Sequence, residues 1–281
     1  MASQLVALPA VERLSPRCIR ILGGNPGKFT LQGTNTYLLG TGKQRILIDT
    51  GEGRPIWVSS LREVLEKEKA TIGSALISHW HPDHVGGIRD LVGVSPGTVV
   101  YKNKPDLGQS EIIDGQVFRV EGATLTASYT PGHSVDHMVF QLAEEDALFT
   151  ADNVLGQGTA IFEDLTTYLA SLSKMRTLFK GRAYPGHGPV VDDGPGKITE
   201  YIEHRQQREE QIVSTLRSAE NGKVVNLGAL DIVKKIYTDI PETLHMAARS
   251  GVMQVLEKLE KEGKVVRNGD DSWRLGRSPS L

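Results

Sequence analysis

The stretch His79-Trp80-His81-Pro82-Asp83-His84 places four side chains that can bind a metal ion within six residues. It directly follows the apolar run Ser74-Ala75-Leu76-Ile77, which is typical of a buried strand. Successive strand residues face opposite ways, so a loop at the strand end can bring imidazoles to one point from both sides. Imidazole nitrogen and carboxylate oxygen are ligands that Zn²⁺ accepts. The alternative is a polar loop of ordinary histidines, but the pattern HxHxDH is specific and predicts a metal site.

Three further candidate ligands follow along the chain. His133 comes after the strand-like run 123–127, Asp152 closes the apolar run 147–151, and His187 lies in a Pro-Gly-His-Gly-Pro turn. Each stands where a predicted strand meets a turn, which is a common way to direct a ligand from a sheet edge. Taken singly, each is more often an ordinary turn residue. In this order after HxHxDH, they are candidates for the same metal site.

The order HxHxDH, His, Asp, His across residues 20–190 resembles the metallo-β-lactamase superfamily in its glyoxalase-II-like dinuclear arrangement. The resemblance implies an α/β fold, the αβ/βα sandwich, in which two mixed sheets pack face to face with helices outside. It also implies two Zn²⁺ ions per chain, with Asp152 bridging both. The implied ligands are His79, His81 and His133 for one zinc, and Asp83, His84 and His187 for the other.

Two other polar residues are candidates for supporting the site. Asp49, in Ile46-Leu-Ile-Asp-Thr-Gly51, matches the early aspartate of the family, which supports the metal loop; a plain turn residue is the alternative. Asn35 follows Gly33-Thr34 and is a candidate for a hydrogen bond to substrate or to Asp49, with a structural turn as the alternative. Asp136 and His137 are candidates for orienting a ligand.

A closer resemblance is carried by residues 24–37 and 158–165, which are similar to the β-lactamase-like protein 2 group. One branch of that group is an animal mitochondrial endoribonuclease for single-stranded RNA. The other branch contains fungal hydrolases, several of which are thioesterases that release polyketides from an acyl carrier protein. The resemblance spans nearly the whole chain and implies that Lys28 and Phe29 lie at the mouth of the site.

The chemistry expected of such a site needs no protein nucleophile. Zinc lowers the pKa of bound water from about 15.7 to about 7, so hydroxide is present at neutral pH. The predicted nucleophile is therefore a hydroxide that bridges the two ions. Asp83 is predicted to donate and accept the proton during turnover, and a role as a ligand alone is the alternative.

The predicted activity is a thioesterase that releases a polyketide acyl group from an acyl carrier protein. The alternative is an endoribonuclease for single-stranded RNA. A pI near 6.5, an aromatic content of 6% and the lack of a basic run weigh against extended contact with nucleic acid. The Trp-Pro pair in the metal loop is nearer to the fungal hydrolases. A third alternative, from another class, is a non-catalytic metal-binding adaptor that works through its tail.

Composition favours an ordinary cytoplasmic protein. With 281 residues, 39% of them hydrophobic and 23% charged, the chain is long enough for a large domain and a small one. No apolar run approaches the roughly 20 residues that span a bilayer, and the N-terminus lacks the basic region of a secretory signal. The single cysteine, Cys18, excludes an intramolecular disulfide and is typical of a reducing compartment.

The turn-forming cluster Asp192-Asp193-Gly194-Pro195-Gly196 indicates a boundary between a catalytic domain, residues 1–195, and a tail, residues 196–281. The tail is predicted to be a helical, winged-helix-like domain. With 14 Lys and Arg against 13 Asp and Glu, it lacks a basic footprint, so we expect a packing or partner surface. The expected elements are strands 18–22, 35–39 and 45–48, helices 56–68, 164–178, 198–219, 227–237, 242–250 and 252–262, and a hairpin over 263–275 with Asn268-Gly269 at its turn.

Overall fold

The computed structural model describes residues 5–221, 226–238, 241–269 and 271–276. The chain divides into two compact units. The first consists of Met1–Glu163 with Thr167–Thr199, and the second of Asp164–Thr166 with Glu200–Leu281. The division at residue 199 lies shortly after the boundary that the turn cluster predicts at residue 195.

The first unit contains two sheets. Within residues 5–221 the first sheet has seven strands: β1 (Val11–Ser15), β2 (Cys18–Leu22), β3 (Asn35–Leu39), β4 (Gln44–Ile48), β5 (Thr71–Ile77), β6 (Val99–Lys102) and β7 (Ser110–Glu111). Each strand pairs with the next along the chain; pairing is antiparallel as far as β4 and parallel from there to β7. The three early strands predicted from the sequence are β2, β3 and β4.

The second sheet has five strands within the same residues: β8 (Val117–Val120), β9 (Ala123–Tyr129), β10 (Met138–Leu142), β11 (Ala147–Ala151) and β12 (Ala183–Pro185). Strands β8 to β11 form an antiparallel meander, and β12 adds to β11 in parallel. Both sheets are thus mixed, and the ends of β5, β9, β11 and β12 carry the histidines and aspartates of interest.

Alternation along the strands produces two apolar layers. Tyr37 and Leu39 face the second sheet and pack in a core with Phe140 and Phe149. Leu38, between them in sequence, faces the other way into a layer with helix residues. Because a central strand is buried on both faces, it appears in the sequence as a continuous apolar run.

Helices cover the outer faces of the sheets. The helices are α1 (Pro55–Glu68), α2 (Pro82–Val85), α3 (Ile88–Val94) and α4 (Leu165–Met175). Trp57 and Leu61 of α1 pack in the outer layer of the first sheet. The Tyr168 hydroxyl of α4 donates to the carbonyl of Asn153, just beyond β11. The predicted αβ/βα sandwich is confirmed.

One detail of α1 differs from the sequence pattern. The apolar spacing predicts Ile56 on the inner face, but it is 58% exposed, and Trp57 is fully buried instead. The helix begins at Pro55, and its rotation places residues 57, 61, 64 and 65 on the inner face. The Trp57 indole N–H also donates to Thr36 Oγ1 at 2.9 Å, so the buried ring has a polar partner.

The turn-forming cluster before the tail begins a helix. Helix α5 spans Gly194–Asn221, so it includes Pro195 and Gly196, earlier than the predicted start at residue 198. The Asp193 carboxylate accepts the Gly196 N–H at 2.9 Å, which caps the first turn. Proline is tolerated there because the first amides of a helix have no intrahelical partner.

The second unit contains the rest of α5, then α6 (Ala229–Ile236), a short 3-10 turn (Glu242–Leu244), α7 (His245–Lys261) and the hairpin β13 (Val265–Arg267) and β14 (Trp273–Leu275). Helices predicted over 242–250 and 252–262 are wrong as separate elements: α7 is continuous through Gly251. Space around that glycine is open, and the helix crosses it without a break. Ile232, Val252, Leu256 and Trp273 are buried in this unit.

Within the described ranges, no helix combines the length and apolar character that a bilayer crossing requires.

Cys18 offers a test of the inner core. Its side chain is fully buried, and burial, followed by the charge of Glu145, raises the pKa of the thiol well above its ordinary value. Because the thiolate is the reactive form, we expect no reaction with an aromatic disulfide reagent at pH 8 while the protein is folded. One thiol per chain should react after unfolding in guanidinium. Rapid labelling of protein with an intact circular dichroism spectrum would contradict this packing.

Candidate metal centre

The structure brings all seven predicted ligands together in two neighbouring clusters. The first cluster contains His79, His81, His133 and Asp152, and the second cluster contains Asp83, His84 and His187. Within each cluster the candidate ligand atoms lie within 4.8 Å of one another. They reach this place from the end of β5, from α2, and from the loops that follow β9, β11 and β12.

In the first cluster three ring nitrogens converge. His81 Nδ1 lies 2.9 Å from His79 Nε2 and 3.1 Å from His133 Nε2. The other nitrogen of His79 faces Ser78 Oγ at 2.9 Å, and that of His133 faces the Ile161 carbonyl at 2.7 Å. A neutral imidazole has a single N–H. In His79 and His133 this N–H lies on Nδ1 and donates to these acceptors, so both Nε2 atoms present lone pairs to the centre.

The second cluster follows the same rule. His84 Nδ1 donates to Asp49 Oδ2 at 2.7 Å, and His187 Nδ1 faces the Gly33 carbonyl at 3.5 Å. Their Nε2 atoms therefore point towards Asp83 Oδ2, each at 3.3 Å. The arrangement leaves ring lone pairs and carboxylate oxygens facing one another, which is the donor set of a cation site.

Asp152 lies between the two clusters. Its Oδ2 is 3.7 Å from His133 Nε2 and 3.2 Å from His187 Nε2. Gly186 allows this approach, because a Cβ at that position would overlap Asp152 Oδ1 and crowd the His84 ring. Ala151, just before the aspartate, adopts a positive φ of 43°, a strained conformation of the kind found at functional sites.

Two buried polar atoms at the centre have no hydrogen-bond partner among the described residues: His84 Nε2 and Asp152 Oδ1. Buried polar groups are normally paired, since leaving one unpaired costs about 1–3 kcal/mol. These atoms, together with the inward lone pairs of both clusters, fit a pair of bound cations.

The charges around the second cluster fit the same interpretation. Burial alone would lower the pKa of His84, but Asp152, Asp49 and Asp83 together raise it well above its ordinary value. The pKa of His187 is raised to about 9 against burial, chiefly by Asp152. Burial favours the protonated form of Asp152, yet His187 and His84 hold its pKa well below the usual range. The ionised Asp152 carboxylate thus attracts positive charge to the cavity, and metal binding would release the protons that it favours on His84 and His187.

Asp49 connects the two clusters from behind. Its Oδ1 accepts the Ser78 N–H at 2.7 Å, and its Oδ2 accepts both the Ser78 hydroxyl at 2.8 Å and His84 Nδ1. Through Ser78 it orients His79, and it orients His84 directly. Asp49 has a φ of 58°, which sets its carboxylate beneath the loop. The structure thus places it where the sequence analysis expects a supporting aspartate.

Asn35 does not have the partners that the sequence suggests. It contacts neither Asp49 nor the cavity; it is buried, and its side-chain amide donates to the carbonyls of Pro185 and Gly188 at 2.8 and 2.9 Å. The Tyr37 hydroxyl also donates to Pro185 at 2.7 Å. Both residues come from β3, which runs beside the loop that carries His187, so they hold that loop in place.

Several supporting residues escaped the sequence analysis. Thr34 Oγ1 donates to Asp83 Oδ2 at 2.8 Å, and the Asn25 amide donates to Thr34 Oγ1 at 3.0 Å. Ser78 directly precedes the metal loop and could have been found from the sequence, whereas Thr34 and Asn25 are close to the site only in three dimensions. His137, which the sequence predicts as a candidate for orienting a ligand, is buried, and its Nε2 accepts the Asp152 N–H at 3.3 Å, so it supports Asp152 through the backbone.

A cavity of about 490 Å³ opens over the two clusters. His81, Asp83, His133, Asp152 and His187 contribute to its lining, together with the loops 28–31 and 155–163. Phe29 and Ile161 at the cavity are 65% and 63% exposed, so both side chains present apolar surface at its opening. The cavity thus combines a polar floor with apolar walls, as small-molecule sites do.

The sequence is similar to curated fungal proteins along almost its whole length. It is 47% identical to lactamase-like protein adaB of Aspergillus niger, over 97% of this chain and 89% of that protein. It is also 47% identical to the atrochrysone carboxyl ACP thioesterase of Aspergillus chevalieri, over 96% of this chain and 91% of that protein.

Solved structures share the fold. A beta-lactamase domain protein from Burkholderia ambifaria superposes with a TM-score of 0.80 at 17% identity, covering 98% of this chain and 96% of that one. A metallo-beta-lactamase family protein from Thermus thermophilus superposes with a TM-score of 0.73 at 21% identity, covering 94% of this chain and 100% of that one.

Family models match both parts of the chain. The metallo-beta-lactamase superfamily model matches residues 29–106 and 100–187, and the beta-lactamase associated winged helix domain model matches residues 229–273. The predicted winged-helix character of the tail is thereby confirmed. The chain belongs to the metallo-beta-lactamase superfamily, in the form that carries a winged-helix domain after the catalytic fold.

Proposed function

We propose that this hydrolase binds two zinc ions and releases a polyketide acyl group from an acyl carrier protein by cleaving its thioester. The observation that carries the proposal is the pair of clusters, with Asp152 between them, at the floor of an apolar-walled cavity. The superfamily assignment and the named thioesterase relative support hydrolysis. The name of that relative specifies an ACP substrate, which supports a carrier protein as the partner here.

Zinc suits the donor atoms of both clusters. Five imidazoles and two carboxylates form the candidate ligand set, and such nitrogen-rich sites favour zinc over the oxygen-seeking cations Mg²⁺ and Ca²⁺. When bound, a pair of such ions would supply Lewis-acid chemistry, lowering the pKa of water and stabilising negative charge on the substrate carbonyl oxygen. The seven candidate ligands would hold these ions at the cavity floor.

Asp83 is the proposed proton carrier. It lines the cavity, is only partly buried, and accepts a hydrogen bond from Thr34 Oγ1 that fixes its orientation. During turnover a C–O bond forms to the attacking water and the C–S bond breaks. Asp83 takes the proton that the water loses and delivers it to the departing thiolate, which leaves as a free thiol. Its position beside both His84 and His187 also suits the alternative, a ligand role alone.

The cavity walls support an acyl substrate over RNA. Phe29, Leu31, Ile161 and Phe162 contribute apolar surface, and Lys28 is the only lysine or arginine among the described lining residues. A strand of RNA needs a basic groove that follows several phosphates, together with aromatic stacking platforms. A cavity volume of about 490 Å³ instead suits a compact ligand. We place the activity in the cytoplasm, in keeping with the free thiol Cys18.

Metal binding is the first test. We expect the purified protein to retain two zinc ions per chain, and His133→Ala and His187→Ala each to retain one, because each removes a ligand from a different cluster. Elemental analysis after gel filtration measures the content. His204→Ala, a histidine of α5 outside both clusters, is the matched control and should retain two. A wild-type protein without tightly bound metal would refute the proposed centre.

Substrate class is tested by offering an acyl-carrier thioester and single-stranded RNA to the same zinc-loaded sample. We expect free thiol from the thioester, and a kcat about 10²–10⁴-fold lower in Asp83→Asn, which cannot carry the proton. Intact thioester together with cleaved RNA would reverse the ranking in favour of the endoribonuclease. Bound metal without turnover of either substrate would favour the adaptor.

The cavity rim is tested with Ile161→Ala. We expect KM for a polyketide thioester to rise at least about 4-fold, the cost of one buried methylene. KM for a short acetyl thioester should not change, since an acetyl group is too short to reach Ile161. Ile113→Ala is the matched control, because Ile113 is 59% exposed but does not line the cavity. Equal effects of the two substitutions would show that Ile161 does not contact the acyl group.

A further inference from the structure

A buried ion pair joins the two sheets of the first unit. Lys102 is the last residue of β6 in the first sheet, and Asp136 lies in the loop between β9 and β10 of the second sheet. Their side chains are 5% and 2% exposed, and Lys102 Nζ is 2.8 Å from Asp136 Oδ2. Burying two charges is costly unless each has further polar partners besides the other.

Both members have such partners. The Lys102 ammonium also donates to the carbonyls of Asn103 at 3.2 Å and Lys104 at 3.0 Å, so three oxygens lie within 3.2 Å of its nitrogen. The second carboxylate oxygen, Asp136 Oδ1, accepts the Ser134 hydroxyl at 2.9 Å. The ion pair is therefore anchored to the strand end of β6 on one side and to the loop after β9 on the other.

The loop held by this pair carries His133. Ser134 follows the histidine directly, and its carbonyl accepts the Gly132 N–H at 3.1 Å, so the backbone on both sides of His133 is tied to Ser134. The ring of His133 is oriented by the Ile161 carbonyl, but that contact does not fix where the backbone lies. Lys102 contributes to fixing the backbone from the other sheet, through Asp136 and Ser134, in addition to the Glu163 N–H, which donates to the Gly132 carbonyl at 2.7 Å.

We propose that the Lys102–Asp136 ion pair positions His133 and thereby sets the affinity of the first cluster for its cation. Lys102 and Asp136 are positioning residues, since neither contacts a candidate ligand atom. The proposal rests on the proposed metal centre but not on the acyl substrate, so loss of the thioesterase assignment would leave it standing. An ion pair that merely stabilises the fold would change unfolding and leave cation affinity alone.

The test uses the double variant Lys102→Met/Asp136→Leu, which replaces the pair by apolar side chains of similar size and removes the acceptor of Ser134. Such replacements commonly preserve stability. Zinc dissociation constants are measured by competition with a chromophoric chelator in two backgrounds. His187→Ala leaves the first cluster to be measured alone, and His133→Ala leaves the second. Thermal unfolding of the metal-free proteins is recorded in parallel.

We expect the first-cluster dissociation constant to rise about 10- to 100-fold, the range for changes that act behind a ligand, while the second cluster is unchanged. Ser134→Ala, which keeps the ion pair, should weaken the first cluster in the same direction. The matched control is Lys258→Met/Glu209→Leu, a partly buried pair at 2.8 Å in the second unit, which should leave both constants unchanged.

Wild-type affinity at the first cluster in a folded double variant would overturn the proposal, as would an equal loss at both clusters. If the double variant does not fold, unchanged affinity in Ser134→Ala overturns it. Failure of the His187→Ala protein to bind zinc at all, with the ion pair intact, would reject the metal centre itself and this inference with it.

Discussion

The whole site depends on one property of the neutral imidazole ring: only one of its two nitrogens carries a proton. The nitrogen that faces the centre has a free lone pair only when the other nitrogen carries that proton and donates it in a hydrogen bond to an acceptor behind the ring. The fold supplies those acceptors. Ser78 serves His79, Asp49 serves His84, and the Ile161 carbonyl serves His133. Each acceptor is fixed by backbone or by a second hydrogen bond, so ring orientation follows from the packing of the sandwich.

Each of the two sheets provides part of the candidate ligand set. The first sheet provides the metal loop and its supporting aspartate at the ends of β4 and β5, while the second provides His133, Asp152 and His187 from its loops. Neither sheet can assemble the centre alone. Contacts that join them near the site, such as the Met138 N–H to the Ser78 carbonyl at 2.8 Å, therefore bear directly on ligand geometry. This geometry is maintained by hydrophobic packing between the sheets, where Tyr37, Phe149 and Tyr184 meet.

Sequence reasoning succeeded where chemistry and spacing are local. HxHxDH, the later His–Asp–His order and the apolar strand runs are visible along the chain, and the two clusters and the sandwich are what the family resemblance carried by the ligand order implies. It failed where the hydrogen-bond partners of a residue are far from it in the sequence. The carbonyls of Pro185 and Gly188, which accept hydrogen bonds from Asn35, could not be predicted, because they lie about 150 residues away in the sequence. Ile56 is exposed because the helix packs through residues 57, 61, 64 and 65, which have helical spacing and include Trp57. Helix α7 continues through Gly251, because a single glycine destabilises a helix by only about 1 kcal/mol.

Gly186 has a consequence for how sequence variation in this protein is understood. It has no functional group, yet a single methyl at that position would displace the Asp152 carboxylate, which lies between the two clusters. In a saturation mutagenesis screen, substitutions at position 186 would reduce activity as strongly as substitutions of a ligand. Such data alone would therefore add Gly186 to the seven candidate ligands, although it takes no part in the chemistry. The centre thus requires the absence of a side chain at position 186 as much as it requires the side chains of its candidate ligands.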